Sequence, residues 1–459
     1  MKRAPETRRS YASTVRYPPA YPGRCGDALD TALRSAEAYR SWRDLDPGPE
    51  SSVFERYAAM PALAKRDLRA FGPRGFVPGG RSIEEALSAG EIEIVATSGS
   101  TGDRVENVWH QPWWDASEAA SWRLNAHARA AAAGDHREAI LTSPWCAGVP
   151  CEDDYLSRER RTLGRFLYLS ERSDPSTWSD RLMDRMIAEL DAFEPVVIEA
   201  NPSFLARLAR HIARGGRGVR SPALIVLTYE NPSILHYRAI ARAFDAPVAS
   251  SYGSTETGYV FMECEAGRLH QVAGSCHVDF LPFAAEHGGP ETGRVLVTTF
   301  DNPWRSLVRF DVGDVVRIDG GGACPCGNRE GLALRSIEGR TVNLTLSPEG
   351  RAVTQGAVDR AVGDAPGLAE YQVEQTGPAA YLARIAVEDG EPRIAEEFVR
   401  EALRALYGSS AAVAVERVDA IAPDPPGKYR LARAAEPVDA DSLLDPRYAP
   451  PSTEEAFDE

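Results

Sequence analysis

Two short apolar runs, each passing through Asn-Pro into a helical pattern, constrain this chain most. Val196-Val197-Ile198-Glu199 leads to Asn201-Pro202 and a stripe of Leu205, Leu208 and Ile212. Leu224-Ile225-Val226-Leu227 leads through Thr228-Tyr229-Glu230-Asn231-Pro232 to a helical pattern over residues 237–244. Continuous apolar strands alternating with helices need a sheet covered on both faces, which is the signature of a mostly parallel α/β core. Ligands of such sheets bind at the carboxyl ends of the strands, where these loops lie. Upstream, Ala139-Ile140-Leu141-Thr142 reads as another strand, and residues 117–133 read as one Ala-rich helix. Residues 182–193 carry Met183, Met186, Ile187 and Leu190 on one helical face, which marks core and not a cofactor site.

The pattern changes twice further on. Residues 294–300, 307–310 and 315–318 read as strands of a small antiparallel β subdomain. Beyond Arg340, strands are expected over 371–374, 381–387 and 412–418, with a helical stripe of Ile394, Phe398, Ala402, Leu403 and Leu406 between the last two. That is a small α+β unit of its own. The 459 residues are enough for two or more domains, and 43% hydrophobic with 26% charged residues is the balance of a globular protein. A formal charge of −15 argues against nucleic acid or an anionic membrane as the main partner. No apolar run approaches the ~20 residues that span a bilayer, and the basic start has no apolar segment after it, so no secretory signal is expected. Seven cysteines at scattered spacing suit reduced thiols in a cytoplasm.

Five short motifs carry candidate chemistry. The first follows the β-branched run Ile92, Ile94, Val95 and consists of Thr97, Ser98, Gly99, Ser100, Thr101 and Gly102. Its hydroxyls, exposed N–H groups and two glycines can wrap phosphate oxygens as an anion nest. It is not a Walker A loop, because no Gly-Lys-Ser/Thr follows at the required spacing. The second is Tyr252-Gly253-Ser254-Thr255-Glu256, which sets an aromatic face, a hydroxyl and a carboxylate within five residues. Tyr252 can stack on a base, Thr255 can bond a phosphate, and Glu256 offers the hard oxygens that Mg²⁺ prefers. The third ends in Asp314, placed after Gly313 to accept from two ribose hydroxyls. The fourth is Gly339-Arg340 at the change of character, and the fifth is Gly427-Lys428 near the end. Taken singly, each is also compatible with an ordinary turn or a solvated charge.

In this order and spacing, the five motifs resemble those of the adenylate-forming acyl ligase superfamily over nearly the whole chain. Within it, the stretch Leu307-Val308-Arg309-Phe310-Asp311-Val312-Gly313-Asp314, followed by Cys324-Pro-Cys326-Gly, resembles the phenylacetate–CoA ligase-like branch. The resemblance implies an adenylation domain over residues 1–338 and a mobile lid over 339–436 that brings the catalytic Lys428. Residues 437–459 are expected to be a disordered acidic tail. It implies a phosphate clamp at residues 97–102, adenine and Mg²⁺ at Tyr252, Gly253, Ser254, Thr255 and Glu256, ribose at Asp314, and a ribose and hinge role for Arg340. It further implies ATP, Mg²⁺ and coenzyme A as cofactors and a small carboxylic acid, of aryl type, as substrate. A homodimer is left open. Adenylating ligases that pass the acyl group to an amine or a carrier protein share these motifs, as would a non-catalytic nucleotide-binding homologue.

Three positions depart from the family pattern. Asp103-Arg104 stands where a Lys-Pro pair is usual, Thr341-Val342 follows the hinge arginine in place of x-Asp, and Tyr229-Glu230-Asn231 replaces Ala-Glu-Pro at the aryl pocket. Tyr229 and Glu230, together with Trp145 and Cys146, are therefore the expected substrate walls, with Trp113 and Trp114 as further candidates. Separately, Cys264, His270, Cys324 and Cys326 supply three thiolates and one imidazole, a set suited to a closed, structural, tetrahedral Zn²⁺. The branch often carries similar residues. Cys146, Cys151 and Cys276 have no partners at metal spacing, and Cys25 is read as structural.

Overall fold

A computed structural model describes residues 10–96, 105–143, 156–216, 218–320, 322–388, 390–424 and 429–451. Residues 97–102, expected to clamp phosphate, and Asp103, Arg104, Trp145, Cys146, Cys151 and Lys428 lie outside the described residues. The chain forms two compact units, one made of Met1–Leu124, Gly253–Ser336 and Asp439–Glu459, the other of Asn125–Tyr252 and Ile337–Val438.

In the first unit, strand Thr292–Thr299 is buried along its whole length between Cys276–Pro282 and Phe310–Ile318, both antiparallel to it. Helices Tyr21–Ser35 and Val53–Ala59 send Tyr21 and Tyr57 into its core, and the second of them starts on a Ser52/Glu55 capping box. The strands on either side of residues 97–104, Glu93–Ala96 and Glu106–Trp109, pair antiparallel, Ala96 opposite Glu106. The expected strand at 307–310 is corrected: Phe310–Ile318 is one strand with a bulge inside it, not two. Arg294 pairs with Val315 and Leu296 with Asp311, so one residue of the partner strand faces Val312, Gly313 and Asp314. The expected disordered tail is also corrected for 439–451. Leu443 and Leu444 are buried, Leu443 O accepts from Ala284 N at 2.9 Å, and Asp445 N donates to Pro282 O at 2.9 Å. Two adjacent leucines in an otherwise polar segment supply the apolar area that holds it down.

In the second unit, strands Val248–Ser254, Leu224–Leu227, Val197–Ala200, Glu138–Leu141 and Phe166–Tyr168 lie side by side and parallel, and Thr162–Leu163 closes the edge antiparallel. Helices Asp180–Phe193 and Pro202–Gly215 bury Met183, Met186, Ile187, Leu190, Phe204, Leu205 and Leu208 against Ala139, Leu141, Ile198, Ala200, Ile225 and Leu227. The alternation read from the apolar runs is therefore the observed core. The single helix expected over 117–133 is two, Gln111–Trp122 and Ala126–Ala132. The break comes at Asn125, whose side chain accepts from His127 N and Ala128 N as an N-cap.

The C-terminal part of this unit is a four-stranded sheet in the order Ala412–Arg417, Ala380–Val387, Leu368–Gly377, Ala432–Ala434. Helix Pro392–Tyr407 covers it with Ala395, Val399, Leu403 and Tyr407. Of the expected stripe, Leu403 is buried and Leu406 packs against this core, but Ile394 and Phe398 face solvent, at 55% and 36% exposure. The stripe one residue on has the same period and carries Val399, Leu403 and Tyr407, so it wins the core. Leu235 of helix Ile234–Ala243 joins this core, Ile234 N donates to Asp359 Oδ2 at 2.8 Å, and Arg210 pairs with Glu370 at 2.9 Å.

One buried ion cluster ties the parallel sheet to helix Asp180–Phe193. Arg161, 1% exposed, donates to Glu189 Oε2 at 3.0 Å, Tyr168 O at 2.6 Å and Leu156 O at 2.9 Å, while Glu171 accepts from Arg185 at 2.6 Å. Removing one member of a buried pair strands the other charge. Arg161→Ala is expected to destabilise the protein by about 3–5 kcal/mol in urea unfolding; a change below about 1 kcal/mol would assign the cluster no structural weight.

Candidate active site

Each candidate side chain is set by its own strand end or bulge. In the first unit, the turn after Val248–Ser254 is drawn tight by Ser254 Oγ, which accepts from Thr257 N at 3.2 Å and lies 3.0 Å from Thr257 Oγ1. A side chain at Gly253 would meet Gly258 O at 2.2 Å, so glycine there is a packing requirement. Thr255 is half-buried and Glu256 is 3% exposed. Glu256 Oε1 is buried and accepts no hydrogen bond among the described residues, with the Lys65 ammonium 3.8 Å away. Arg305 is also buried; burial pushes its guanidinium down to about 10, against the pull of the Glu256 carboxylate, and it donates to Asn107 Oδ1. A buried carboxylate oxygen with unused acceptor capacity fits a hard divalent cation, and Glu256 would hold Mg²⁺ there. Lys65 and Arg305 were not legible as neighbours of this motif, since each is far from it in sequence.

The bulge explains Asp314. It sits half-buried on the stretch that the partner strand cannot match, and Gly313, at φ +78, turns the backbone with its N–H on Asp311 Oδ1 at 2.9 Å. Below it, Arg309 holds a left-handed backbone at φ +52, its N–H donating to Thr298 Oγ1 at 2.9 Å. Its guanidinium lies 3.4 Å from Asp279, and Asp279 lies 3.4 Å from fully buried His277, whose Nδ1 is 2.8 Å from the Tyr21 hydroxyl. Burial pulls the His277 pKa down, but the Asp279 carboxylate and neighbouring Cys25 together outweigh it and push it up to about 10. Trp113 and Trp114 prove to be packing residues: Trp113 donates to Phe300 O at 2.9 Å and fills the space a Cβ at Gly258 would need, and Trp114 packs on Trp109 and Tyr259.

Cys264, His270, Cys324 and Cys326 converge in the same unit, their four donor atoms all within 4.8 Å of one another. A tetrahedral Zn²⁺ with Zn–S of about 2.3 Å has an S···S edge of about 3.8 Å. Cys264 and Cys324 are 3.7 Å apart, and Cys326 Sγ is 3.3 Å from His270 Nε2. Burial holds the His270 pKa below its ordinary value, which keeps the imidazole in the neutral form a metal takes. The donor set therefore fits a structural zinc with no open position.

In the second unit, Tyr252 is half-buried and Arg340 exposed. Gly339, at φ +107, leaves no room for a side chain against Gln355 Cβ at 2.8 Å. Glu338 is clamped by Thr354 and by Arg360 at 2.9 Å, while Val342 stands 61% exposed. Tyr229 adopts φ +72, a left-handed backbone that a bulky residue rarely takes, and its hydroxyl donates to Glu199 Oε1. Glu230 accepts from Ser203 Oγ and, at 2.8 Å, from the N–H of Tyr429, the residue after Lys428. Two predicted substrate residues are thus engaged with side chains that sequence reasoning did not single out, Glu199 and Ser203.

No protein-family model matches the chain, and no curated protein matches it in sequence. Solved structures do. A 2-hydroxyisobutyryl-CoA ligase in the postadenylation state with 2-HIB-AMP aligns over 94% of this chain and 91% of its own, at TM-score 0.65 and 16% identity. The chain has the adenylate-forming ligase fold. The same ligase with R3-HIB-AMP gives TM-score 0.64 over 91% and 89%, also at 16% identity. An open conformation of it with 2-HIB-AMP and CoA gives 0.53 over 91% of each chain. The mixed α/β organisation expected from the apolar runs is that of this ligase fold. Among the described residues, no helix is long and apolar enough to cross a membrane.

Two measurements follow from this geometry. Zinc analysis of the purified protein is expected to return one ion per chain, with Cys324→Ser losing it and lowering the unfolding temperature; a metal-free protein of unchanged stability would remove the site. A folded pKa of about 10 for His277 against about 6.5 unfolded means its stabilisation is complete below about pH 6.5 and lost as pH rises through 10. Thermal unfolding followed from pH 6.5 to 10 should fall more steeply for the natural protein than for His277→Gln, and parallel curves would refute the assignment.

Proposed function

We propose that this protein is an ATP-dependent acid ligase of the phenylacetate–CoA ligase-like kind, which forms an acyl-adenylate and passes the acyl group to coenzyme A. In the first step a carboxylate oxygen attacks the α-phosphorus of ATP in line. The α–β phosphoanhydride bond breaks and pyrophosphate leaves. Such a step is mainly positioning and neutralisation of charge. Residues 97–102 and Thr255 would hold the phosphates, Tyr252 the adenine, Asp314 and Arg340 the ribose, and Lys428 would offset charge on the α-phosphate and carboxylate. Mg²⁺, when bound at Glu256, supplies further charge neutralisation at the phosphates. In the second step the coenzyme A sulfur attacks the acyl carbon, and AMP leaves.

One observation carries the reading. A chain with this fold over 94% of its length also presents the buried Glu256, its Oε1 without a hydrogen bond, directly after Tyr-Gly-Ser-Thr. The fold supplies the frame, and this carboxylate the reason to expect nucleotide chemistry in it. The acceptor rests on the resemblance to the branch.

The test is acid-dependent release of AMP and pyrophosphate over an acid panel, with and without coenzyme A. Acyl-CoA and AMP formation that requires coenzyme A is the expected result. AMP release indifferent to coenzyme A would point to an amine or carrier-protein acceptor, and no AMP from any acid would point to a nucleotide-binding protein. Lys428→Ala is expected to lose adenylation by ~10²–10³-fold, the usual loss for one preorganised charge stabiliser.

A further inference from the structure

Lysine is nearly absent from this chain. Of its 52 lysines and arginines, only Lys2, Lys65 and Lys428 are lysine, and every other such position is arginine. The two side chains differ physically. Arginine is a planar fork of fixed geometry, whereas lysine carries a compact point charge and rotatable donors on a flexible four-carbon stem. Lys428 is the expected catalytic lysine and Lys2 stands at the chain start, which leaves Lys65 to be accounted for. No lysine follows residues 97–102, where Asp103-Arg104 stands in place of the usual Lys-Pro pair.

Within the first unit, Lys65 stands beside Glu256. Its ammonium is 3.8 Å from Glu256 Oε1, inside ion-pair range but beyond hydrogen-bond length. The Lys65 side chain is 34% exposed and that of Glu256 3%, so the ammonium lies on the solvent side of the buried carboxylate. Among the described residues it makes no hydrogen bond. The charge of buried Arg305 already acts on the same carboxylate, so Glu256 is not left to Lys65 alone for its neutralisation. The backbone before Lys65 is fastened to the strand that carries Asp314. Leu63 N donates to Arg309 O at 3.0 Å, and Leu63 O accepts from Asp311 N at 2.8 Å. Ala64 N then donates to Asp67 Oδ2 at 2.7 Å, and helix Lys65–Phe71 begins. Lys65 is thus fixed at its root, with a charged tip that can swing beside the carboxylate fitted for Mg²⁺.

We propose that Lys65 is a further catalytic residue of the adenylation step, whose ammonium turns from Glu256 to the β- and γ-phosphates of ATP and offsets charge on the departing pyrophosphate. The inference rests on the acid-ligase reading for its ligand and adds a residue from outside the five motifs. In the structure Lys65 is a counter-ion of Glu256. Once that carboxylate holds Mg²⁺, a second cation against it is repelled, while the polyphosphate offers Lys65 several charged oxygens. As the α–β bond breaks, its electron pair stays on the bridging oxygen, which leaves with pyrophosphate. Lys428 then serves the α-phosphate and the carboxylate, and Lys65 serves the leaving group, so the two ammonium groups act on opposite sides of the breaking bond. A group that must exchange one anionic partner for another is better made from a flexible point charge than from a rigid fork.

The experiment measures equilibrium binding of ATP with Mg²⁺, and of AMP, to the full-length protein by titration calorimetry without acid, and then acid-dependent pyrophosphate release. Lys65→Gln is expected to weaken ATP about tenfold or more, the loss of one charged hydrogen-bond donor, and to leave AMP within about twofold. Its kcat for adenylation should fall by about tenfold or more while the KM for the acid is unchanged. Lys65→Arg, which keeps the charge, should hold ATP more tightly than Lys65→Gln does. AMP binding by the same variants serves as the control for folding. Unaltered ATP affinity in Lys65→Gln would overturn the proposal and make Lys65 a counter-ion of Glu256 only. Equal losses for ATP and AMP, or for the two variants, would overturn it by assigning the effect to packing. A protein that binds ATP through Lys65 yet releases pyrophosphate with no acid would overturn the ligase reading and leave this phosphate contact standing. No ATP binding by the natural protein would overturn both.

Discussion

The second unit depends on a parallel sheet that must be covered on both faces. Backbone groups in Leu224–Leu227 and Val197–Ala200 are all spent on neighbouring strands, so only side chains distinguish one face from the other. On one face they are aliphatic and lock two helices in place. On the other, the Glu199 carboxylate is buried and accepts from the Tyr229 hydroxyl, since a buried charge is costly unless something pairs with it. The carboxyl ends of these parallel strands carry Thr142, Tyr229 and Ser251, the end at which such sheets bind ligands.

The first unit solves a different problem. Its buried strand Thr292–Thr299 forces a mismatch on Phe310–Ile318, and the extra residues become the bulge that presents Asp314. Arg309, in a left-handed conformation just before it, is held by Thr298 and by a buried Asp279 that also serves His277. A chain of buried charges thus holds the backbone below Asp314 rigid. A zinc ion held by Cys264, His270, Cys324 and Cys326 would tie strands and loop together in the same unit.

Much of this was legible in order and residue type. The apolar runs gave the strands almost to the residue, and three cysteines with one histidine foretold a donor set whose four atoms do converge. Failures came where two solutions have the same period. Ile394 and Phe398 match a helical stripe as well as Ala395 and Val399 do, and only the sheet beneath chooses. The bulge at Val312 to Asp314 looked like a turn between strands, because a glycine with positive φ serves either.

What the amino-acid sequence determined by itself is the kind of sheet, the class of fold and the chemical vocabulary of the site, since periodicity and residue type are local properties. What only the tertiary structure decided is which distant side chains meet. Lys65 and Arg305 beside Glu256, Arg309 beside Asp279, and Glu199 beneath Tyr229 join residues separated by tens to hundreds of positions. No local pattern encodes those pairings. They follow from strand register and burial, which place charges where water cannot reach them and so make each pairing decisive.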